Sequence, residues 1–252
     1  MRYQWYCMKI STVCVAGCAS FCRKEPLSWL LVAAGLQVQL ARKIDSCQPR
    51  RMNDTTASRI HWPNTHFLQS VANAREFPDT GLPQVAVAGH SNVGKSSLMN
   101  ALFGRNGLVK TSKNPGCTRL LNLFAVDDRM LVVDLPGYGY ARASKSEQNR
   151  WISMIDGYLT GADLKLVLVL LDIRHGPKDS DMQLIEWLNE AGIRWVPVAT
   201  KADKLSGNGR SRRLKEMTDA MGGLLKPLPT SSAKGLGIDN LRALLQQELF
   251  DA

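Results

Sequence analysis

With 252 residues, 32 Lys/Arg against 22 Asp/Glu and a formal charge of +10, the chain is long enough for one large domain with an ample core. The charge is uneven: residues 1–51 hold eight basic residues and two acids, +6 of the +10, so the remainder is only mildly basic. Five of the six cysteines (Cys7, Cys14, Cys18, Cys22, Cys47) share that segment, and the lone Cys117 beyond it excludes a disulfide framework there and points to a reducing compartment.

In residues 1–51 the apolar run 27–40 is too short to span a bilayer comfortably, and no membrane association is expected. The segment is acid-poor and contains arginine, as organellar transit peptides do. Cys14, Cys18 and Cys22 fall four apart without a CxxC pair or a histidine, so no metal site is expected. Met52 opens an ordinary polar amino terminus, Met-Asn-Asp-Thr-Thr-Ala-Ser. Residues 1–51 are therefore expected to be an unstructured or non-native extension with Met52 the true start. Residues 52–83 then form a lead-in, and 84–252 the folded domain.

From residue 84, strand-like and helix-like runs alternate, the pattern of an α/β sheet with crossover helices. Residues 85–88 predict a buried strand and 96–103 a helix. Leu121–Val126 and residues 129–133, joined by Asp127-Asp128, predict a tight hairpin and hence an antiparallel edge. The continuous apolar runs 166–171 and 195–199 suit parallel strands covered on both faces. Between them Met182, Ile185 and Leu188 have helical spacing over Asp179–Glu190, with Gly192 placed as a stop. A further strand is expected over 224–228, interrupted by Pro227. A last helix carries Ile238, Leu241, Leu244, Leu245 and Leu249 on one face. The expectation is one doubly wound α/β domain, mostly parallel, with one antiparallel edge hairpin.

The chemistry sits at the strand ends. Gly89-His90-Ser91-Asn92-Val93-Gly94-Lys95-Ser96 has the spacing of a phosphate-binding loop between a strand and a helix. Its glycines let the backbone curl around an anion at the positive end of the helix. Lys95 would reach the outer phosphates, and the Ser96 hydroxyl would ligate Mg2+. Asp134-Leu135-Pro136-Gly137 puts a carboxylate at a strand end before a tight turn; Asp134 can hold Mg2+ through water and the Gly137 N–H can meet a γ-phosphate. Thr200-Lys201-Ala202-Asp203 follows another strand. The Asp203 carboxylate can accept two parallel hydrogen bonds from the ring N–H and exocyclic amine of guanine, which adenine does not offer. That residue favours GTP over ATP. The Lys201 stem can lie against the base, and Ser231-Ser232-Ala233 can present backbone N–H groups to the guanine oxygen. In the polar loop Asn114-Pro115-Gly116-Cys117-Thr118, Thr118 is the natural second Mg2+ ligand from protein, sensing the γ-phosphate.

In this order the motifs resemble those of the translation-factor-related P-loop GTPases. Within that class, the stretches 111–118, Asp134-Leu135-Pro136-Gly137-Tyr138-Gly139-Tyr140 and Thr200-Lys201-Ala202-Asp203-Lys204-Leu205 resemble the EngB (YihA) ribosome-assembly GTPases, from about His66 to Leu249. His90 and Cys117 depart from the pattern, in which arginine is usual. The resemblance implies a Ras-like GTPase domain that hydrolyses GTP to GDP with Mg2+, acting with Lys95, Thr118 and Gly137. It implies a cytoplasmic, monomeric switch that works on the precursor of the large ribosomal subunit, its RNA and protein, and in cell division and septation. Tyr138 stands where many small GTPases have a water-orienting glutamine, so slow intrinsic hydrolysis is expected. In related GTPases an asparagine at the position of Asn92 helps hold K+, which gives Asn92 a candidate catalytic role. Candidate RNA-facing charges are Arg119, Arg142, Lys145 and the cluster Arg210, Arg212, Arg213, Lys215. The alternative function is a nucleotide-gated adaptor in cell division with little catalysis of its own.

Overall fold

The structure, a computed structural model, describes residues 59–72, 76–110, 120–138, 157–158, 164–223 and 225–250. Seven strands form one sheet: β1 (Thr65–Val71), β2 (Gln84–Gly89), β3 (Leu121–Val126), β4 (Met130–Asp134), β5 (Leu164–Asp172), β6 (Trp195–Thr200) and β7 (Leu228–Pro229). Among the described residues the helices that accompany them include α1 (Lys95–Phe103), α2 (Asp179–Glu190), α3 (Gly207–Ala220) and α4 (Ile238–Phe250). The strand order is β1-β3-β4-β2-β5-β6-β7, antiparallel from β1 to β4 and parallel onward.

Every residue of β2, β4 and β6 is buried. Successive side chains of a strand point to opposite faces, so unbroken burial means that both faces are covered. This is why these strands read as continuous apolar runs instead of alternating ones. Helices α1 and α4 pack on each other, with α1 against β2 and α4 against β5; α2 also lies against β5. Phe103 from α1 meets Phe124 from β3 in the core, ring centroids 5.6 Å apart.

The hairpin forms as expected. Asp127 and Asp128 take φ of 54° and 51°, the pair of left-handed residues that a two-residue turn needs to match strand twist. Two expectations are revised. The stretch 52–83 contains β1, which pairs antiparallel with β3, so the antiparallel edge is one strand wider than the hairpin. The strand expected over 224–228 is Leu228–Pro229 instead. Pro227 and Pro229 leave too few N–H donors for a long ladder, and pairing with β6 is confined to Val198 and Ala199. No described helix is long and apolar enough to cross a membrane.

Candidate functional site

The C-terminal ends of the parallel strands β2, β4, β5 and β6 lie side by side, and the motif residues follow them directly. This is where open α/β sheets place their ligand crevice. Gly89 closes β2 under steric compulsion: a Cβ there would sit 2.8 Å from Val93 Cγ1 and 3.0 Å from Leu170 Cβ. The loop then turns through Asn92 (φ 65°) and Gly94 (φ 104°), and the Leu98 N–H donates to the Gly94 carbonyl to start α1. Lys95 and Ser96 stand in the first turn, both half-buried, and that turn carries no acid to repel a phosphate.

Asp134, 3 % exposed, ends β4 and forms an ion pair with the Lys95 ammonium. Asn122 of β3 approaches its other oxygen at 3.5 Å. The next residues tie back to the loop: Leu135 N–H donates to Val87, and both the N–H and the hydroxyl of Ser91 donate to the Tyr138 carbonyl at 3.1 and 3.3 Å. A Cβ on Gly137 would come within 3.2 Å of Ser91 Oγ, so this turn lies directly on the loop. The Tyr138 side chain is buried. Burial, and then the nearby Asp181 carboxylate, push its phenol well above the usual tyrosine range. His90 contacts its neighbour's carbonyl through Nδ1 (2.9 Å to Ser91 O) and Lys178 through Nε2 (3.4 Å).

On the other side, Thr200 Oγ1 donates to the carbonyls of Val93 (2.7 Å) and Leu171 (3.2 Å), joining β6 to the phosphate loop. Lys201, at φ 59°, sends its ammonium to the Asn92 carbonyl (2.7 Å) and to Asp172 (2.9 Å). Ala202 N–H donates to Thr230 O, and a short 3-10 turn, Ala202–Lys204, presents Asp203. The Ser231 hydroxyl donates to Asp203 Oδ1 at 2.6 Å. That hydrogen bond lowers the Asp203 carboxyl below its ordinary range, assisted by Lys204. Ser231 is buried, while Ser232 is half-buried and Ala233 exposed beyond it. Gly237 (φ 71°) closes this loop where any Cβ would run into the Pro229 carbonyl.

The four sequence-predicted groups 89–96, 134–137, 200–203 and 231–233 thus converge on one edge of the sheet. Gly116, Cys117 and Thr118 lie outside the described residues, as do Arg119, Arg142 and Lys145. Arg213 is engaged internally: its guanidinium donates to the carbonyls of Ile173 (3.1 Å) and Arg174 (3.3 Å). Sequence reasoning missed Asp172, Arg174 and Asn122. Asp172 carried a signal, being the first charge after the apolar run that ends at Leu171; Asn122 carried none.

The family model described as "50S ribosome-binding GTPase" matches residues 84–201. The chain is 48% identical over 186 residues to the probable GTP-binding protein EngB of Desulfotalea psychrophila, covering 73% of this chain and 96% of that one. It is 40% identical over 185 residues to that of Alkaliphilus metalliredigens, covering 71% and 88%. Among solved structures, a probable GTP-binding protein engB aligns with TM-score 0.54 at 20% identity, over 67% of this chain and 99% of that one. A single-residue variant of Aquifex aeolicus Era bound to GDP·AlF4⁻ aligns with TM-score 0.55 at 23% identity, over 66% and 56%. The structural likenesses show the Ras-like fold, and the sequence relatives, matched over nearly their whole length, show that the chain belongs to the EngB family of P-loop GTPases.

Proposed function

We propose that this GTPase binds GTP and GDP through the converging strand-end motifs and acts as a switch in assembly of the large ribosomal subunit. The observation that carries the nucleotide reading is the junction of the phosphate loop with the Asp203 segment through Thr200 and Lys201. It supports reading the Asp203 carboxylate and the 89–96 loop as parts of one nucleotide site. Asp203, ionised at neutral pH and oriented by Ser231, accepts from the two adjacent N–H groups of guanine. Adenine would leave it unpaired.

Lys95 exchanges its Asp134 partner for the outer phosphates. The oxygen donors Ser96 and Asp134, with Thr118, fit a hard dication that keeps some of its waters. Bound there, Mg2+ would neutralise charge on the phosphates during transfer. The Gly137 N–H and Thr118 meet the γ-phosphate, and both contacts vanish with it, which a partner can read.

Tyr138 supports slow intrinsic hydrolysis, since a buried phenol held neutral neither abstracts a proton nor orients a water as glutamine does. Asn92 is exposed at the tip of the loop with its carbonyl engaged by Lys201, consistent with a K+ site at its side chain. Rates equal in K+ and Na+, for wild type and Asn92→Ala alike, would sink that role.

The ribosomal reading rests on family membership and on the exposed basic face of α3, where Arg212 and Lys215 project and Arg210 is half-exposed. The protein is proposed to act as a cytoplasmic monomer, with a role in cell division and septation that follows from the same switch. Multiple-turnover GTP hydrolysis should rise on adding large-subunit precursors, and association with them should weaken steeply with salt. A rate unmoved by the particles would favour the adaptor reading, in which nucleotide occupancy alone is the signal.

A further inference from the structure

Asp172 is the last residue of β5, with its side chain 11% exposed. Its carboxylate receives hydrogen bonds from the Arg174 N–H (3.0 Å), from Arg174 Nε (2.9 Å) and Nη2 (2.7 Å), and from Lys201 Nζ (2.9 Å). A carboxylate offers about four acceptor sites, and these donors fill them. Nor is this a loose surface pair, because each partner is fixed from elsewhere. Arg213 of α3 clamps the carbonyls of Ile173 and Arg174, which sets the turn that presents the Arg174 fork. Lys201 leaves a left-handed backbone, passes Gly94, where a Cβ would lie 3.7 Å from its Cε, and ends on the Asn92 carbonyl.

We propose that Asp172 is a positioning residue of the nucleotide site, anchoring the Lys201 ammonium so that its stem stays extended from the base-reading turn to the phosphate loop. The inference rests on the GTP reading above. Lys201 has a flexible stem of four methylenes, and a single neutral carbonyl holds an ammonium less firmly than a carbonyl and a saturated carboxylate together. Held at its tip, the stem forms a fixed apolar ledge beside Asp203 on which a purine can lie. Released, it must be ordered again at each binding event. Because the ledge faces the base and not the γ-phosphate, Asp172 should matter equally for GDP and GTP, and not for the hydrolytic step.

The test uses the full chain and fluorescent N-methylanthraniloyl-GDP and its non-hydrolysable GTP counterpart. For Asp172→Asn we expect dissociation of both probes to accelerate by about tenfold. KM for GTP should rise in parallel, while kcat at saturation stays within about twofold, an interaction lost equally from ground and transition states. Lys201→Met should show a similar loss, and the double variant little more than either single one, as residues acting through one contact do. Asp172→Glu, which keeps the charge, should recover part of the loss and gives the same readout if the amide weakens β5. Additive losses, a fall in kcat at unchanged KM, or wild-type dissociation rates in Asp172→Asn would overturn the inference while leaving GTP binding intact. A wild-type chain that does not retain the GDP probe would overturn both.

Discussion

Ser231 and Asp203 meet across two loops, and their pairing makes a pH-dependent contribution whose sign follows from chemistry. The Ser231 hydrogen bond lowers the Asp203 carboxyl. A lowered carboxylate contributes stability that is present above its unfolded value, about 3.9, and is lost as pH falls through the folded value. Ser231→Ala should therefore destabilise the nucleotide-free protein at neutral pH, with the difference from wild type closing below about pH 4. The Asp203 carboxyl should move up toward its ordinary titration, which a carbon-detected NMR titration follows. Gly89 tests packing at the same scale. Its Cβ position lies 2.8 Å from a valine methyl and 3.0 Å from Leu170 in the buried sheet, so Gly89→Ala should cost about 1–3 kcal/mol in denaturant unfolding, with nucleotide affinity falling as the loop shifts.

Among the elements, those that were readable in the sequence were the ones whose environment forces a pattern. Strands β2 and β6 and residues 166–171 of β5 are covered on both faces and read as apolar runs, and the bounds of α2 followed from its spacing and Gly192. Strand β1 escaped notice because it lies at the sheet edge: its pattern, with Phe67 and Leu68 exposed and a bulge between Phe67 and Gln69, breaks the alternation that marks a strand. Its register comes from pairing with β3, a partner distant in sequence. The 89–96 loop was readable because its glycines are required by the backbone, Gly89 by crowding against Val93 and Leu170 and Gly94 by its φ of 104°, and the Asp203 turn because it directly follows an apolar strand. The support beneath them was not: Asp172 and Arg174 sit between motifs, and only the placement of β5 beside β6 brings them to Lys201. At this scale the core contact between α1 and β3 is a direct test. Phe103→Ala removes a fully buried ring and should cost about 3–5 kcal/mol by denaturant unfolding.

For the whole molecule, the described fold from residue 59 onward contains every nucleotide-contacting group proposed above except those at 116–118. A chain beginning at Met52 should thus retain the GDP affinity and melting temperature of the full chain, as measured by fluorescence titration and calorimetry. A large loss of either would give residues 1–51 a structural role. The switch reading depends on coupling between three strand ends, with Ser91 bound to the Tyr138 carbonyl on one side and Lys201 bound to the Asn92 carbonyl on the other. Under the proposed switch, loss of the γ-phosphate should act on the first connection and leave the second, so that the base stays recognised while the Gly137 turn is released.

Guanine recognition by Asp203 is the link on which the nucleotide reading turns, and competition against the labelled GDP probe measures it directly. GTP and GDP should displace the probe from the wild-type chain, whereas ATP should fail at about hundredfold higher concentration. Asp203→Asn should reverse the preference toward xanthosine nucleotides, whose 2-oxo group accepts from the new amide. Displacement by ATP as effective as by GTP, or an Asp203→Asn chain that still prefers guanine, would contradict the site described here.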